Sequence, residues 1–292
     1  MFPIQKYHYA ESVADAVQAL AADEKARIIA GGTDVLVRLH GGNSDYGNLV
    51  DVNGLAELKE ISRDGNGNIF IGALATCSEI IEHELIRKYT PMIAESLNTI
   101  GGPQVRNCAT MGGNICNGAV SADSACAALV YELDLVIEGV NGERIDSING
   151  FHTGPGRTSL QRGDILKAFR VRPENYEGFQ ASYQKYAMRG AMDIATIGCG
   201  VALKMDGDRI SEPKLAFTVA APTPIRCSSA EEAVAGRALT EETVEAMTRA
   251  LLEDVRPRES WRAGKEFRLH IIKTLAAKGL RMAVAREGGS DA

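Results

Sequence analysis

The segment Thr99–Asp123, TIGGPQVRNCATMGGNICNGAVSAD, contains two Gly-Gly pairs, Gly101-Gly102 and Gly112-Gly113. Glycine loses more entropy on folding than any other residue, so two such pairs predict backbone that turns sharply or lets something approach closely. Consecutive backbone N–H groups in such turns form an anion-binding nest. The segment therefore suggests a pyrophosphate site, with Asp123 accepting a hydrogen bond from a ribose hydroxyl. Two tight turns in a β domain are an equally good interpretation.

A further glycine pair follows a short apolar strand predicted at 25–30. The strand runs directly into Gly31-Gly32-Thr33, a second candidate phosphate nest in which the Thr33 hydroxyl could donate. An ordinary strand-to-helix turn is the alternative. This turn contains no G-x-G-x-x-G, and the chain contains no G-x-x-x-x-G-K-[ST], so the Rossmann and P-loop nucleotide signatures are absent.

The composition limits the classes of function. The chain has 292 residues, a net charge of −6 and 45% hydrophobic residues, enough for two domains with full cores. No Lys/Arg run indicates nucleic-acid binding, and no 18-residue apolar run predicts a transmembrane helix. The first residues lack the charged and apolar regions of a signal peptide, so we expect a cytoplasmic protein that binds neither nucleic acid nor membrane.

No motif in the chain indicates catalytic side chains or a metal. Neither G-x-S-x-G nor H-E-x-x-H occurs, and the five histidines are scattered. The six cysteines form no C-x-x-C pair and lack zinc or iron–sulfur spacing, so we expect buried, reduced thiols. They are Cys77, Cys108, Cys116, Cys126, Cys199 and Cys227.

Periodicity and capping residues predict a mixed α+β chain. The stretch 173–178 is a candidate linker, beyond which antiparallel strands are followed by helices, with a hairpin turn at Asp206-Gly207. Predicted helices cover 12–22, 76–88, a segment starting at 90–91 and ending near the first Gly-Gly pair, 121 or 124 to 131, 229–235, 240–254 and 260–286. Predicted strands cover 25–30, 48–52, 66–76, 132–138, 164–172, 179–187, 196–205 and 214–221.

Three charged residues lie at the junction of two predicted C-terminal strands: Lys185, Arg189 and Asp193. The cations could lie near a flavin or its phosphates, where a positive charge stabilises the anionic reduced ring. A solvated, salt-bridged bend is the alternative.

Several motifs together resemble a known family. AGGTD at 30–34, TIGG at 99–102 and TMGGNICNGAVSAD at 110–123 are similar to the FAD-binding subunits of molybdenum hydroxylases. That family has the FAD fold of vanillyl-alcohol oxidase and p-cresol methylhydroxylase. The resemblance runs the length of the chain. Its later pieces resemble bacterial xanthine dehydrogenase in particular, and they include NGFHTGPG at 149–156, VAAPTPIR at 219–226, SWRA at 260–263 and KEFRLH at 265–270.

The resemblance implies a fold and a cofactor. The fold would be α+β, with a two-part FAD-binding domain of the p-cresol methylhydroxylase type at 1–175, divided into about 1–53 and 54–175. A C-terminal antiparallel sheet with helices, of the CO dehydrogenase flavoprotein type, would follow at 178–292. The cofactor would be FAD. It would contact Ile28, Ile29, Ala30, Gly31, Gly32, Thr33, Asp34, Val35, Ile100, Gly101, Thr110, Met111, Gly112, Gly113, Asn114, Asp123, Ile165 and Lys185.

The resemblance also implies roles for these residues. The loops 28–35 and 110–114 would hold the pyrophosphate, and Asp123 the ribose. Ile100, Gly101 and Lys185 would lie near the isoalloxazine, with Ile165 beside the flavin or the adenine. The chain has Ile100 where fused eukaryotic enzymes carry an aromatic residue.

The implied partners are a molybdopterin-binding large subunit and a [2Fe–2S] small subunit, in a trimer that dimerises. Electrons would leave through NAD⁺, with ferredoxin or oxygen as alternative acceptors. A nicotinate, aldehyde or carbon monoxide dehydrogenase is the alternative complex. The alternative function that is not enzymatic is a binding or assembly module that has kept the fold and lost the flavin. The intact glycines at 31, 32, 112 and 113 argue against this alternative.

Overall fold

The computed structural model describes residues 3–286. The first two residues of the predicted N-terminal domain and residues 287–292 of the predicted C-terminal domain lie outside the described residues. The helices are α1 (Val13–Ala22), α2 (Val35–His40), α3 (Cys77–Glu82), α4 (Glu84–Tyr89), α5 (Pro91–Asn98), α6 (Pro103–Arg106), α7 (Met111–Cys116), α8 (Asp123–Val130), α9 (Ser228–Val234), α10 (Glu241–Asp254) and α11 (Lys265–Ala285). The strands are β1 (Lys6–Tyr9), β2 (Ala26–Ile29), β3 (Asn48–Asp51), β4 (Ile61–Arg63), β5 (Ile69–Gly72), β6 (Asp134–Gly139), β7 (Gly142–Ser147), β8 (His152–Gly154), β9 (Arg157–Thr158), β10 (Ile165–Val171), β11 (Gln180–Tyr186), β12 (Ile197–Asp206), β13 (Arg209–Thr218) and β14 (Ile225–Arg226).

The N-terminal part begins with a small parallel sheet in the order β1-β3-β2. Helix α1 covers it with a buried stripe that includes Val13, Val17 and Leu20. The Ser12 hydroxyl accepts a hydrogen bond from the Asp15 N–H at 3.1 Å, which confirms the predicted N-cap. Strand β2 lies at one edge of this sheet and leads into the turn at Gly31-Gly32-Thr33, here called the first glycine turn, so the sheet positions that turn.

A five-stranded antiparallel sheet in the order β4-β5-β10-β6-β7 forms the second part. Helices α3 to α8 pack near it, and apolar side chains such as Ile71 and Phe169 form the main core. Every residue of α8 is buried, because this helix also contacts β12 and β13 of the C-terminal sheet. Its small residues, Asp-Ser-Ala-Cys-Ala-Ala, suit a helix enclosed on all sides.

The C-terminal sheet has the order β11-β12-β13-β14 and is antiparallel throughout. Helix α11 lies across β11 and β12, and it approaches so closely that a Cβ at Gly279 would lie 2.8 Å from Val201 Cγ2. The hairpin at Asp206-Gly207 is confirmed by the pairing of Asp206 with Arg209. The α+β fold with a separate C-terminal sheet is therefore confirmed.

Ion pairs join the C-terminal sheet to the rest of the chain. The Arg226 guanidinium donates to Glu132 Oε1 at 3.0 Å, and Lys214 Nζ lies 3.2 Å from Glu132 Oε2. Lys214 also donates to Asn175 Oδ1 at 3.1 Å. Asn175 lies in a short 3₁₀ turn at Pro173–Asn175, so the predicted linker is an ordered connection packed between the two parts.

Several element boundaries differ from the prediction. The helix predicted at 76–88 breaks at His83, where His83 Nδ1 accepts from the Leu85 N–H and begins α4. The elements that were not predicted are the short strands β1, β4, β7, β8, β9 and β14 and the short helices α2, α6 and α7. Helix α8 begins after Ala122 instead of a serine, and α11 begins at Lys265 instead of 260. Short polar strands and helix ends depend on neighbouring elements, which local periodicity does not reveal.

Over residues 3–286, no helix is both long and apolar enough to span a bilayer.

Candidate cofactor site

A cavity of about 980 Å³ opens between the first glycine turn, the start of β10 and the pair Gly112-Gly113, here called the second glycine pair. Its size suits a large organic ligand. Most of the predicted site residues line it: Ile28, Ala30, Gly31, Gly32, Thr33, Asp34, Val35, Ile100, Thr110, Gly112, Gly113, Asn114 and Ile165. The fold thus brings together segments that lie more than a hundred residues apart.

The first glycine turn presents free backbone donors to this cavity. Within residues 3–286, no protein acceptor is found for any N–H from Gly31 to Val35. Gly32 has φ +72°, a conformation that other residues rarely adopt. Unpaired consecutive N–H groups that border a cavity are the geometry of an anion nest. The structure therefore supports the phosphate-binding interpretation for this turn.

Gly31 is required by the close approach of protein backbone, whereas the sequence suggested the close approach of a ligand. A Cβ at this position would lie 1.7 Å from the Cys108 carbonyl oxygen, a contact that no side chain can make. The first turn is therefore pressed against the backbone that leads into the second glycine pair. The close approach that requires Gly31 is to protein, and it fixes the two walls of the cavity against each other.

The second glycine pair is not a nest of free amides, which corrects the prediction. Gly112 and Gly113 lie inside α7 instead of a turn. The Gly112 N–H donates to Ala73 O at 3.0 Å, the Gly113 N–H to Thr110 Oγ1 at 3.0 Å, and the Asn114 N–H to Thr110 O. Gly112 is required because a Cβ would lie 2.5 Å from Ala73 O, whereas Gly113 is exposed beside the cavity.

Side-chain hydrogen bonds link the two walls of the cavity, which are the first glycine turn and α7. Asn117 Nδ2 donates to Asp34 Oδ2 at 3.0 Å, and the Arg38 guanidinium donates to Asn117 Oδ1 at 3.1 Å. Arg38 also lies over the Tyr46 ring, with 5.2 Å between its Cζ and the ring centroid. These contacts hold the end of the first turn against the end of α7, so the nest is preformed.

Asp123 does not line the cavity, and its predicted contact with a ribose hydroxyl is not supported by the geometry. Its carboxylate accepts hydrogen bonds from Tyr183 Oη at 2.7 Å and from Lys185 Nζ at 2.9 Å. The side chains of Asp123 and Lys185 are 8% and 9% exposed. Burial raises the pKa of the Asp123 carboxyl, and the Lys185 ammonium opposes that rise. Both oxygens are thus occupied by protein donors.

Lys185 links this buried pair to the cavity wall. Its Nζ also donates to the Thr99 carbonyl at 3.0 Å, and the next residue, Ile100, lines the cavity. Gly101 follows with φ +51° and lines a neighbouring cavity. Ile29 and Met111 are core residues instead of cavity residues. The pair therefore acts on the site through the backbone of 99–101.

Arg189 and Asp193 form the solvated bend that was the alternative interpretation. The Arg189 N–H donates to Asp193 Oδ2 at 3.0 Å, and the guanidinium donates to the Met192 carbonyl at 2.6 Å. The Arg189 side chain is 68% exposed, so the ion pair with Asp193, at 3.9 Å, contributes little stability. Of the three charged residues, Lys185 is the one held against the cavity wall, whereas Asp193, with its side chain 12% exposed, is enclosed within the bend itself.

Sequence reasoning missed the polar end of the cavity. Its residues carry no recognisable motif, because they come from separate loops that only the fold assembles. They are Asp23, Glu24, Arg27, Tyr46, Arg157, Gln161, Arg162 and Asp164. Asp164 is held there by the Arg144 guanidinium through bonds of 3.0 and 2.5 Å.

The cysteines differ in accessibility. Cys77, Cys126, Cys199 and Cys227 are buried and Cys116 is half-buried, but Cys108 is exposed, so the expectation of buried thiols is wrong for Cys108. Burial raises the pKa of the Cys77, Cys116 and Cys126 thiols to about 12. In residues 3–286, no cluster of His, Cys, Asp or Glu could hold a metal ion.

We expect iodoacetamide at pH 8 to alkylate Cys108 first, since the thiolate is the reacting species and the buried thiols remain protonated. Peptide mass mapping after partial labelling of the native protein measures the order. The Cys108→Ser variant should lose the fast phase. Fast labelling of Cys77 or Cys126 in the native protein would contradict the burial described here.

Comparisons with known proteins identify the family. The family described as FAD binding domain in molybdopterin dehydrogenase matches residues 2–173. This chain belongs to that family. The CO dehydrogenase flavoprotein C-terminal domain matches residues 182–283.

Relatives extend the match over the whole chain. The chain is 47% identical over 289 residues to the xanthine dehydrogenase FAD-binding subunit of Escherichia coli O157:H7, covering 99% of both chains. It is 30% identical over 285 residues to the carbon monoxide dehydrogenase medium chain of Hydrogenophaga pseudoflava, covering 97% and 98% of the two chains. A solved structure of carbon monoxide dehydrogenase from that organism matches with TM-score 0.93 and 30% identity over 98% of this chain and 99% of that one.

The cofactor is FAD, as the family and these relatives show. The site fits it. Free amides at Gly31–Val35 suit its diphosphate, and the cavity of about 980 Å³ has room for its rings. The chain is thus the FAD subunit of an oxidoreductase of the xanthine dehydrogenase type or of a related molybdenum hydroxylase.

Proposed function

We propose that this chain is the FAD subunit of a xanthine dehydrogenase, which takes electrons from [2Fe–2S] clusters of a partner chain and delivers them to NAD⁺. The observation that carries the proposal is the 47% identity over 289 residues to an FAD-binding subunit with that name. A nicotinate, aldehyde or carbon monoxide dehydrogenase complex is the alternative, because the substrate would be oxidised on the molybdenum partner and relatives with such names also match this chain.

We assign roles to the residues from their positions. The amides of Gly31 to Val35 would hold the diphosphate, and the second wall at Thr110–Asn114 would close the other side. Ile100 and Gly101 would border the isoalloxazine, and Ile28 and Ile165 would contact the ring systems. Bound FAD supplies the redox chemistry, since it accepts electrons one at a time and can release two together. No side chain of this subunit is assigned as an acid, base or nucleophile.

Lys185 and Asp123 would position the ring end of the site. Lys185 holds the Thr99 carbonyl, and Asp123 with Tyr183 holds Lys185. Because the ammonium is paired with a carboxylate, it offers the reduced ring less positive charge than a free lysine would. The main task of the pair is thus to fix the 99–101 turn.

The complex would contain a molybdopterin-binding large subunit and a [2Fe–2S] small subunit, arranged as a dimer of trimers. No cluster of metal ligands is found among residues 3–286, so this chain would need those partners to oxidise a purine. Six free thiols fit the reducing cytoplasm, where we place the complex. Xanthine and NAD⁺ added to the assembled complex should yield NADH, whereas turnover with nicotinate or carbon monoxide instead of xanthine would favour the alternative.

The Gly113→Val variant tests the cavity assignment. Gly113 is exposed at the cavity, and only Thr110 Oγ1, at 3.0 Å, lies near a Cβ built there. We expect FAD to bind at least about tenfold more weakly, because the side chain occupies ligand space, with little change in melting temperature. Quenching of FAD fluorescence during titration of the apoprotein measures the affinity.

Gly65→Val is the matched control, because no atom lies within 4 Å of a Cβ at Gly65 and Gly65 does not line the cavity. Its FAD affinity should equal that of the unchanged protein. If Gly113→Val bound FAD with unchanged affinity, the wall at Thr110–Asn114 would not be part of the FAD site. An unchanged protein that takes up no FAD would contradict the proposal as a whole.

A further inference from the structure

The turn between α5 and α6, residues 99–102, carries backbone amides without a protein acceptor. Among residues 3–286, no acceptor is found for the N–H of Gly101 or for that of Gly102. Gly102 is buried, and buried N–H groups are seldom left unpaired in proteins, because they have lost their hydrogen bonds to water. Ile100 in the same turn lines the large cavity. The unpaired donors therefore indicate a ligand that accepts hydrogen bonds at this turn.

Arg106 holds the carbonyls of the same turn. Its guanidinium donates through Nη1 to Ile100 O at 3.0 Å and, more weakly, to Gly101 O at 3.4 Å. These two carbonyls belong to the peptide groups that carry the N–H of Gly101 and the N–H of Gly102. Hydrogen bonds that share a peptide group polarise one another, so a cation on the carbonyl makes the N–H a stronger donor. Arg106 thus both fixes and strengthens the two free amides.

The charge of Arg106 is balanced differently from that of Lys185. Lys185 holds the Thr99 carbonyl, and its ammonium is neutralised by Asp123 at 2.9 Å. In the described part of the chain, Arg106 donates to the two turn carbonyls and forms no ion pair with a carboxylate. Arg106 is also half-buried, so water screens its charge incompletely. The uncompensated positive charge beside this turn therefore belongs to Arg106.

We infer that Arg106 is a positioning residue that, through the amides of Gly101 and Gly102, favours the reduced form of bound FAD. The inference rests on the proposed function, which places the isoalloxazine beside this turn. Reduction by two electrons with uptake of one proton adds one negative charge to the ring. Hydrogen-bond donors and positive charge beside the ring stabilise that form more than the oxidised form, so they raise the reduction potential. Arg106 thereby makes the cofactor a better acceptor for electrons from the partner chain.

The test measures the reduction potential of FAD bound to the full chain, by anaerobic titration with dithionite beside a reference dye. Arg106→Gln removes the charge. We expect the equilibrium constant for two-electron reduction to fall about tenfold, a shift of about 30 mV to lower potential. Arg106→Lys keeps the charge and should recover most of that shift. A structural role alone would weaken binding of both redox forms of FAD alike and leave the potential unchanged.

Arg87→Gln is the matched control. Arg87 on α4 also donates to a backbone carbonyl, Ile81 O at 2.9 Å, but that carbonyl is outside the 99–102 turn. Its FAD should keep the potential measured in the unchanged protein. An unchanged potential in Arg106→Gln would overturn the inference. An equal fall of the potential in Arg106→Lys and Arg106→Gln would also overturn it, since the charge would then not be the cause.

Amide hydrogen exchange provides a second readout in the unchanged protein labelled with ¹⁵N-glycine. Exchange at Gly101 and Gly102 should slow when FAD binds and slow further when FAD is reduced, because both amides donate to the ring. This measurement decides the question if Arg106→Gln retains no FAD. Exchange at both glycines that does not change on reduction would overturn the inference and leave the FAD assignment intact. An unchanged protein that binds no FAD would instead contradict the proposed function.

Discussion

Gly31→Ala is expected to abolish FAD retention and to destabilise the chain by at least about 2 kcal/mol, because overpacking against rigid atoms costs about 1–3 kcal/mol or more. A Cβ at Gly31 would lie 1.7 Å from Cys108 O, 2.5 Å from Cys108 C and 3.2 Å from Ala109 N. All three are backbone atoms, so no side-chain rotation can relieve the clash. The two cavity walls must separate, and the nest moves with them.

Two other glycines calibrate this result. Gly65→Ala should be neutral, since no atom lies within 4 Å of the new Cβ. Gly32→Ala should cost about 1–2 kcal/mol for its positive φ, and its nearest neighbour is the flexible Leu36 side chain at 3.0 Å. Urea unfolding and FAD titration measure both effects. A Gly31→Ala protein that binds FAD and unfolds like the Gly65→Ala control would show that the walls are not in contact.

Asp123→Asn is expected to destabilise the chain by about 3–5 kcal/mol, because it leaves the buried Lys185 ammonium without its counter-charge. The two side chains are 8% and 9% exposed and lie 2.9 Å apart. The lysine would have to lose its proton or draw water into the interior. Urea unfolding at pH 7 measures the loss of unfolding free energy, and near-ultraviolet circular dichroism shows whether the native side-chain packing persists.

A compensating variant separates the ion pair from simple packing. Asp123→Asn combined with Lys185→Met removes both charges, so it should recover most of the stability lost in Asp123→Asn alone. The coupling between the two changes should exceed about 1 kcal/mol. Strictly additive losses would show that no buried pair exists. The double variant should still alter FAD binding, since the Thr99 carbonyl loses its donor and the 99–101 turn is released.

Two of the three glycine pairs that the sequence suggested as anion nests show how far sequence reasoning reached. The turn at Gly31-Gly32 follows a strand, and its amides are free, as predicted. The pair Gly112-Gly113 looks alike in sequence, yet Ala73 and Thr110 accept its N–H groups. Ala73 lies far from it in the chain. Whether an amide is free depends on which acceptors the fold places beside it.

Asp123 shows the same limit for side chains. A carboxylate at the end of a glycine-rich segment suggested a ligand contact, and its position on α8 agrees with a nearby site. Its partners Tyr183 and Lys185 come from β11, about sixty residues later, and they enclose it. The polar end of the cavity was likewise invisible to motif reasoning, because its residues come from separate segments of the chain.

The sequence by itself determined what depends on neighbouring residues: the capped helix α1, the glycine turn after β2, the hairpin at Asp206-Gly207 and the motifs that mark an FAD subunit. The tertiary structure alone decided which backbone amides remain free and where Asp123 and Lys185 meet. The physical reason is that local conformation responds to residues a few positions away. Hydrogen-bond satisfaction and charge balance depend on atoms close in space, whatever their separation along the chain.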